Sequence, residues 1–202
     1  MRSGRVGLGG DGVGGLALKL GPRGLSVAEF VAICAANPHL RLELTATGEL
    51  VAMPPTGSDT GRRNQALGAQ LWNWNRAAGR GVVFDSSSGF LLPNGAVRSP
   101  DAAWVARARW EALGPDQRAQ FAPVCPDFVA ELVSPTDDLA MVRAKLVEYL
   151  ANGARLGWLI DPREGRVEVY RPGSVPEILQ DATRLSGEEV LPGLVVELSE
   201  VL

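Results

Sequence analysis

The chain has 202 residues, 46% of them apolar and 21% charged, with a formal net charge of −3. That length holds one domain with a substantial core or at most two small ones, and the slight acidity excludes a global positive field drawing in nucleic acid or anionic lipid, though local basic clusters still can. Two distant cysteines, Cys34 and Cys125, no CxxC and a single histidine, His39, argue against a Cys/His zinc site and weaken any Ser-His or Cys-His nucleophile.

The cysteines read as reduced, small apolar side chains. No apolar run reaches about 18 residues and no compact secretion signal opens the chain, so a cytoplasmic protein with no membrane partner is expected.

Residues 1–24 are glycine-rich, and Gly7, Gly9 and Gly12 satisfy GxGxxG. A dinucleotide fingerprint needs a strand before it and a helix after it. Here few residues precede the match and more glycines follow, so a flexible leader is expected over 1–24, with a single domain over 25–202. In LSVAEFVAICAANP, Ser26 and Glu29 form a capping box, Val27, Phe30, Val31 and Ile33 supply an apolar face, and Pro38 ends the helix. LRLELTATGELVAM alternates Leu40, Leu42 and Leu44 against Arg41, Glu43 and Thr45 and turns at Thr47-Gly48. That is a hairpin, with Glu43 on its polar side.

A second helix is expected over roughly 61–78, with Leu67, Leu71 and Trp74 on one side. Residues 81–106 read as three strands, with Pro93-Asn94-Gly95 turning between the last two. Arg107 to Leu113 reads as a short helix stopped by Gly114-Pro115, and 127–133 as a buried strand. TDDLAMVRAKLVEYLANG is a helix of about 14 residues, capped by Thr136 or Asp137 and stopped by Gly153. RLGWLIDPREGRVEVYRPG is another hairpin, and VLPGLVVELSEVL closes the chain. This mixed order, with no repeat and no linker, predicts one α/β domain with a mixed central sheet flanked by helices.

Chemistry concentrates at four positions. Glu131 stands inside the apolar run PDFVAELVSP, where a carboxylate is costly without a partner, a proton or a metal. Such a residue points to function or to an ion pair. Glu43 alone reads as a solvated hairpin residue, and Asp101, following Pro100 in PDAAWV, as a strand-entry group making local hydrogen bonds. Carboxylates converging from adjacent strands instead build an oxygen-rich site for Mg²⁺ or Mn²⁺. Lys145 is one of only two lysines among twenty basic residues. Three residues after Val142 and four before Tyr149, it borders its helix's apolar face and can reach inward. A compact ammonium there can orient water or offset charge on a phosphate; surface pairing with Glu148 or Asp138 is the alternative.

Read together, SPDAAWV, PDFVAELVSPTDDLAMVRAKLVEYLANGARLGWLIDP and VEVYRPG resemble the Uma-two family of restriction endonucleases, once catalogued as a domain of unknown function. RLELTATGELVAMPPTGSDTGRRN upstream and VLPGLVVEL at the end extend the resemblance, in order, over roughly residues 25–202. It implies a restriction-endonuclease-like, PD-(D/E)XK nuclease fold with an extra N-terminal hairpin. Residue by residue, it implies Asp101 and Glu131 as ligands of Mg²⁺ or Mn²⁺, Lys145 as the lysine that positions attacking water, and Glu43 as a further acidic contact. The motif expects lysine at 133, where this chain has Val133. The family is understood to move that lysine to the following helix, where Lys145 is the residue able to serve.

The implied activity is metal-dependent hydrolysis of phosphodiesters in nucleic acid, DNA rather than RNA. Backbone contacts would come from Arg62, Arg63, Arg76 and Arg80, more weakly from Arg107 and Arg109, and a homodimer would cut both strands. Two other readings stay open. One is a non-catalytic nucleic-acid or protein interaction module on the same fold; the other is a metal-dependent hydrolase acting on a small phosphorylated substrate.

Overall fold

The structure, a computed structural model, describes residues 16–202. The glycines 7, 9 and 12 lie outside the described residues. The first helix, α1 (Val27–Ala36), starts on its capping box: the Glu29 N–H donates to the Ser26 hydroxyl at 3.3 Å, and the Ser26 N–H donates to the Glu29 carboxylate at 2.8 Å. The alternating segment after it folds as the hairpin β2 (Arg41–Leu44) and β3 (Leu50–Met53), with Arg41 opposite Met53 and Leu44 opposite Leu50. Its turn needs Gly48, whose φ is +78° and where a Cβ would meet the Leu25 nitrogen at 2.7 Å.

Inside the stretch expected as leader, β1 (Leu16–Leu18) pairs with β3, Leu16 opposite Ala52. The short strands β5 (Phe90–Leu91) and β6 (Val97–Arg98) complete an antiparallel sheet in the order β1-β3-β2-β6-β5. Phe30 of α1 seals this sheet against Leu42, Leu44, Leu50 and Val97.

The second helix, α2 (Ser58–Ala78), begins three residues before the expected start of 61. Its first turn is polar, Asp59 accepting from Arg62 and Arg63, so apolar periodicity does not register it. The main sheet follows. It contains β4 (Gly81–Asp85), β7 (Ala102–Ala106), β8 (Phe128–Leu132), β9 (Leu156–Asp161), β10 (Arg166–Tyr170) and β11 (Glu177–Gln180) in the order β11-β10-β9-β8-β7-β4. Only β8 and β9 are parallel, joined by the crossover helix α5 (Leu139–Ala151), so the sheet is mixed as expected.

Both faces of that sheet are covered, which is why β8 is apolar at nearly every position. Phe128, Ala130 and Leu132 pack with Leu67 and Leu71 of α2, while Val129 and Val133 pack with Val142, Leu146 and Tyr149 of α5. Phe128 and Trp158 meet edge to face at the centre of the first cluster, ring centroids 4.7 Å apart.

Two local expectations are corrected, and three short strands are added. α5 is capped by Asp138, which accepts from the Ala140 N–H, rather than by Thr136 or Asp137; Asp137 turns back to accept from the Ser134 N–H. Pro115 does not merely stop α3 (Arg107–Glu111) but opens α4 (Pro115–Arg118), since proline at a first helical position gives up no needed N–H. β11 and the small hairpin of β12 (Arg184–Ser186) and β13 (Val195–Glu197) are too short or too exposed to carry a readable alternation.

Beside α5, buried Glu168 of β10 accepts two hydrogen bonds on one oxygen and one on the other from the Arg143 fork, and one from the Tyr170 hydroxyl at 2.8 Å. Burial works against its ionisation, but Arg143 and Tyr170 outweigh it and hold the carboxyl below its ordinary value. The stability this supplies is complete above the usual carboxylate range and is lost as pH falls through the depressed value. Glu168→Gln is therefore expected to flatten the acid side of the stability–pH curve in urea titrations; a slope equal to wild type would contradict the assignment.

Candidate active site

β7 and β8 run antiparallel with Ala102 opposite Ala130, so one further register step sets Asp101 against Glu131. Strand alternation turns Glu131 to the same face as Val129 and Val133, the face that α5 covers. Lys145 reaches in from that helix. Its Nζ lies 2.9 Å from Glu131 Oε1 and 3.1 Å from Glu43 Oε1. The first contact is an ion pair off the hydrogen-bonding direction, which leaves Glu131 Oε1 buried without an aligned donor.

Glu43 is 3% exposed, not the solvated hairpin residue that alternation alone suggests. The Ser99 N–H donates to its Oε1 at 3.0 Å and Arg98 Nη1 to its Oε2 at 3.1 Å. Arg98 is held in turn by Glu148, Nε to Oε2 at 2.5 Å, so Glu148 serves Arg98 and not Lys145. Asp101 accepts from the Leu132 N–H at 2.8 Å and from Asn64 of α2 at 3.1 Å. Four elements thus bring the four expected residues to one place.

Charge is unevenly shared there. Burial pushes the Glu131 carboxyl up to about 8; Lys145 opposes the shift, and the charges on Asp101 and Glu43 reinforce it. Burial also raises Asp101, against the Leu132 N–H, Lys145, Arg41 and Asn64. Glu43 goes the other way: burial works against its charge, but Lys145, Arg98 and the Ser99 N–H hold it below the ordinary value. Lys145 is raised, since Glu131 and Glu43 outweigh the burial of its ammonium. One ammonium divided between two carboxylates leaves the Asp101–Glu131 side short of positive charge.

A cleft of about 990 Å³ opens over these groups between the two sheets, lined by Glu43, Asp101, Glu131 and Lys145 at its base. Among the described residues no group of three His, Cys, Asp or Glu side chains is gathered to hold a metal ion. A Mg²⁺-sized cation does not need such a cage; it takes one or two carboxylates and fills its remaining positions with water and substrate phosphate. Asp101 and Glu131 fit that requirement as hard oxygen donors with raised proton affinity, and buried Asn64 Oδ1 and Glu131 Oε1 both lack a hydrogen-bond donor.

Several participants escape a reading of the sequence. Arg98 and Ser99 immediately precede Pro100-Asp101 and anchor Glu43, and Arg41 lines the cleft two residues before Glu43 on β2. The i, i+2 spacing from Glu43 was the available signal for Arg41. Of the arginines expected to meet a nucleic-acid backbone, Arg62 and Arg63 donate to the Glu200 and Val201 carbonyls, Arg107 donates to the Gly79 carbonyl, and Arg109 pairs with Asp127. None of these, nor Arg76 or Arg80, lines the cleft.

Residues 27–199 match the model of the Uma2 family, described as "Putative restriction endonuclease". The chain belongs to this family. No curated protein matches it. Among solved structures, a protein of Anabaena variabilis described as "a putative nuclease belonging to DUF820" superposes with a TM-score of 0.67 at 18% identity, covering 79% of this chain and 88% of that one. At that identity the likeness concerns the fold, the mixed central sheet with flanking helices. In this Uma2 chain Val133 is 2% exposed within the α5-facing apolar cluster, and the ammonium beside Glu131 comes from the helix. No helix among the described residues is long and apolar enough to cross a membrane.

Proposed function

We propose that the protein is a metal-dependent endonuclease that hydrolyses phosphodiester bonds, with DNA as its substrate. The observation that carries this reading is the Lys145 ammonium 2.9 Å from Glu131, which the strand register sets opposite Asp101, at the base of an open cleft. Asp101 and Glu131 would hold Mg²⁺ or Mn²⁺, which supplies polarisation of the phosphate and a bound water of lowered pKa. Lys145 donates a hydrogen bond to the attacking water and offsets charge building on the phosphate oxygens. Glu43 keeps that ammonium in place, and Arg98 with the Ser99 N–H keeps Glu43 in place. Cutting both strands of a duplex calls for two such clefts, which a homodimer supplies.

The test is incubation of plasmid DNA, and separately of single-stranded RNA, with the purified protein in Mg²⁺ or Mn²⁺. Nicked or linear plasmid is expected, with no product in EDTA or from Glu131→Gln. A protein that binds DNA but cuts neither nucleic acid under any divalent ion would be an interaction module instead.

A further inference from the structure

The lining of the cleft is more acidic than a nucleic-acid site should be. Glu43, Glu49, Asp101, Glu131, Asp137 and Asp138 face three cations, Arg41, Arg98 and Lys145. Two of those cations are already neutralised. Lys145 is divided between Glu43 and Glu131, and Arg98 between Glu43 and Glu148. Each already faces two carboxylates, so its attraction for an incoming phosphate is largely offset before a strand arrives.

Arg41 differs from both. It is exposed, and among the described residues no carboxylate lies within ion-pair distance of it. Its Nη2 donates to the Ser86 carbonyl at 2.6 Å, which steers the guanidinium from β2 across to the loop after β4. Alternation along β2 sets Arg41 on the same side as Glu43, and its charge is felt by Asp101, whose proton affinity it lowers. A guanidinium carries five donors in a planar fork that matches two oxygens of a phosphate. One donor is occupied by Ser86, and the rest are available at the cleft.

We propose that Arg41 is the phosphate clamp of this cleft, binding the backbone phosphodiester of the strand that enters it. The inference rests on the nuclease reading and names where substrate affinity is concentrated. Because the other cations are neutralised and the rim is acidic, the sequence-independent attraction for the polyanion falls on this one side chain and on the metal.

The experiment measures binding of a fluorescent duplex by anisotropy in Ca²⁺ buffer across a salt series, for wild type, Arg41→Ala and Arg41→Lys. Each phosphate contact contributes about 0.9 to the slope of log affinity against log salt. Arg41→Ala is expected to bind about tenfold more weakly with a slope shallower by about 1. Arg41→Lys should keep the slope while losing part of the affinity, since it retains the charge but not the fork. Melting temperature and the heat of Mn²⁺ titration should match wild type in both variants. Wild-type affinity and slope in Arg41→Ala, while wild type still cuts DNA, would overturn the clamp and leave the nuclease reading standing. Loss of Mn²⁺ heat or of melting temperature in Arg41→Ala would also overturn it, making Arg41 a support for Asp101. A wild-type protein with no salt-dependent DNA binding would overturn both.

Discussion

Replacing Lys145 with alanine is expected to slow cleavage sharply and to lower the melting temperature by roughly 6–12 °C, the equivalent of about 3 kcal/mol in a chain of this size. The destabilisation follows from what is left behind. Glu43 and Glu131 are both buried, and Lys145 is the cation they have in common. The low end of the range for a broken buried pair applies because Glu131 can take up a proton and Glu43 keeps Arg98. The rate loss is expected to be about 10²–10³-fold, the usual cost of removing one preorganised donor. Adding Glu131→Gln to Lys145→Ala should restore part of the melting temperature, since the uncompensated charge goes with it, yet restore no cleavage. No recovery of melting temperature would mean that the ion pair is not what holds the site.

Glu131→Gln alone should abolish the heat seen when Mn²⁺ is titrated into wild type, weakening binding by more than about 100-fold, beyond what loss of a supporting partner costs. Its melting temperature in metal-free buffer should fall less than that of Lys145→Ala, because Lys145 keeps Glu43 as a partner. Equal Mn²⁺ heats in the two proteins would remove Glu131 from the metal site. Asp101→Asn should also lose the heat, but with some destabilisation, because its carboxylate accepts from the Leu132 N–H and from Asn64.

How far the sequence alone reaches depends on whether a residue breaks a local pattern. Glu131 is visible because a charge interrupts an otherwise apolar strand, and Lys145 because lysine is scarce and its helical spacing borders the core. α1 and the two long hairpins were visible through capping, alternation and turn chemistry. Glu43 was visible only in part: its hairpin alternates as if that face were wet, and the cover that buries it arrives from Ser99 and α5, far along the chain. The joining of Asp101 to Glu131 came from the family resemblance; strand order decides it, and no single segment encodes that.

What stayed illegible has the same physical origin. Arg41, Arg98 and Asn64 sit in ordinary local contexts and acquire their roles from partners in other elements. Between Asp137 and Asp138 the cap was decided by the Ser134 N–H, a choice too fine for spacing rules. β1 and β12 are three residues each, shorter than any period can establish.

The lysine's station on α5 bears on the order in which the protein assembles. Glu131 and Lys145 belong to one β-α-β unit, whose contacts close over a short stretch of chain and at small entropic cost. Glu43 is 102 residues from Lys145, and its strand belongs to the other sheet. A contact of that span closes a longer loop and costs more chain entropy. A newly made or partly unfolded chain can therefore pair its lysine and glutamate while the wall that carries Glu43 and Arg41 is still undocked. In that state the cleft has only one wall, so on the proposed reading a half-folded molecule offers a strand no complete site.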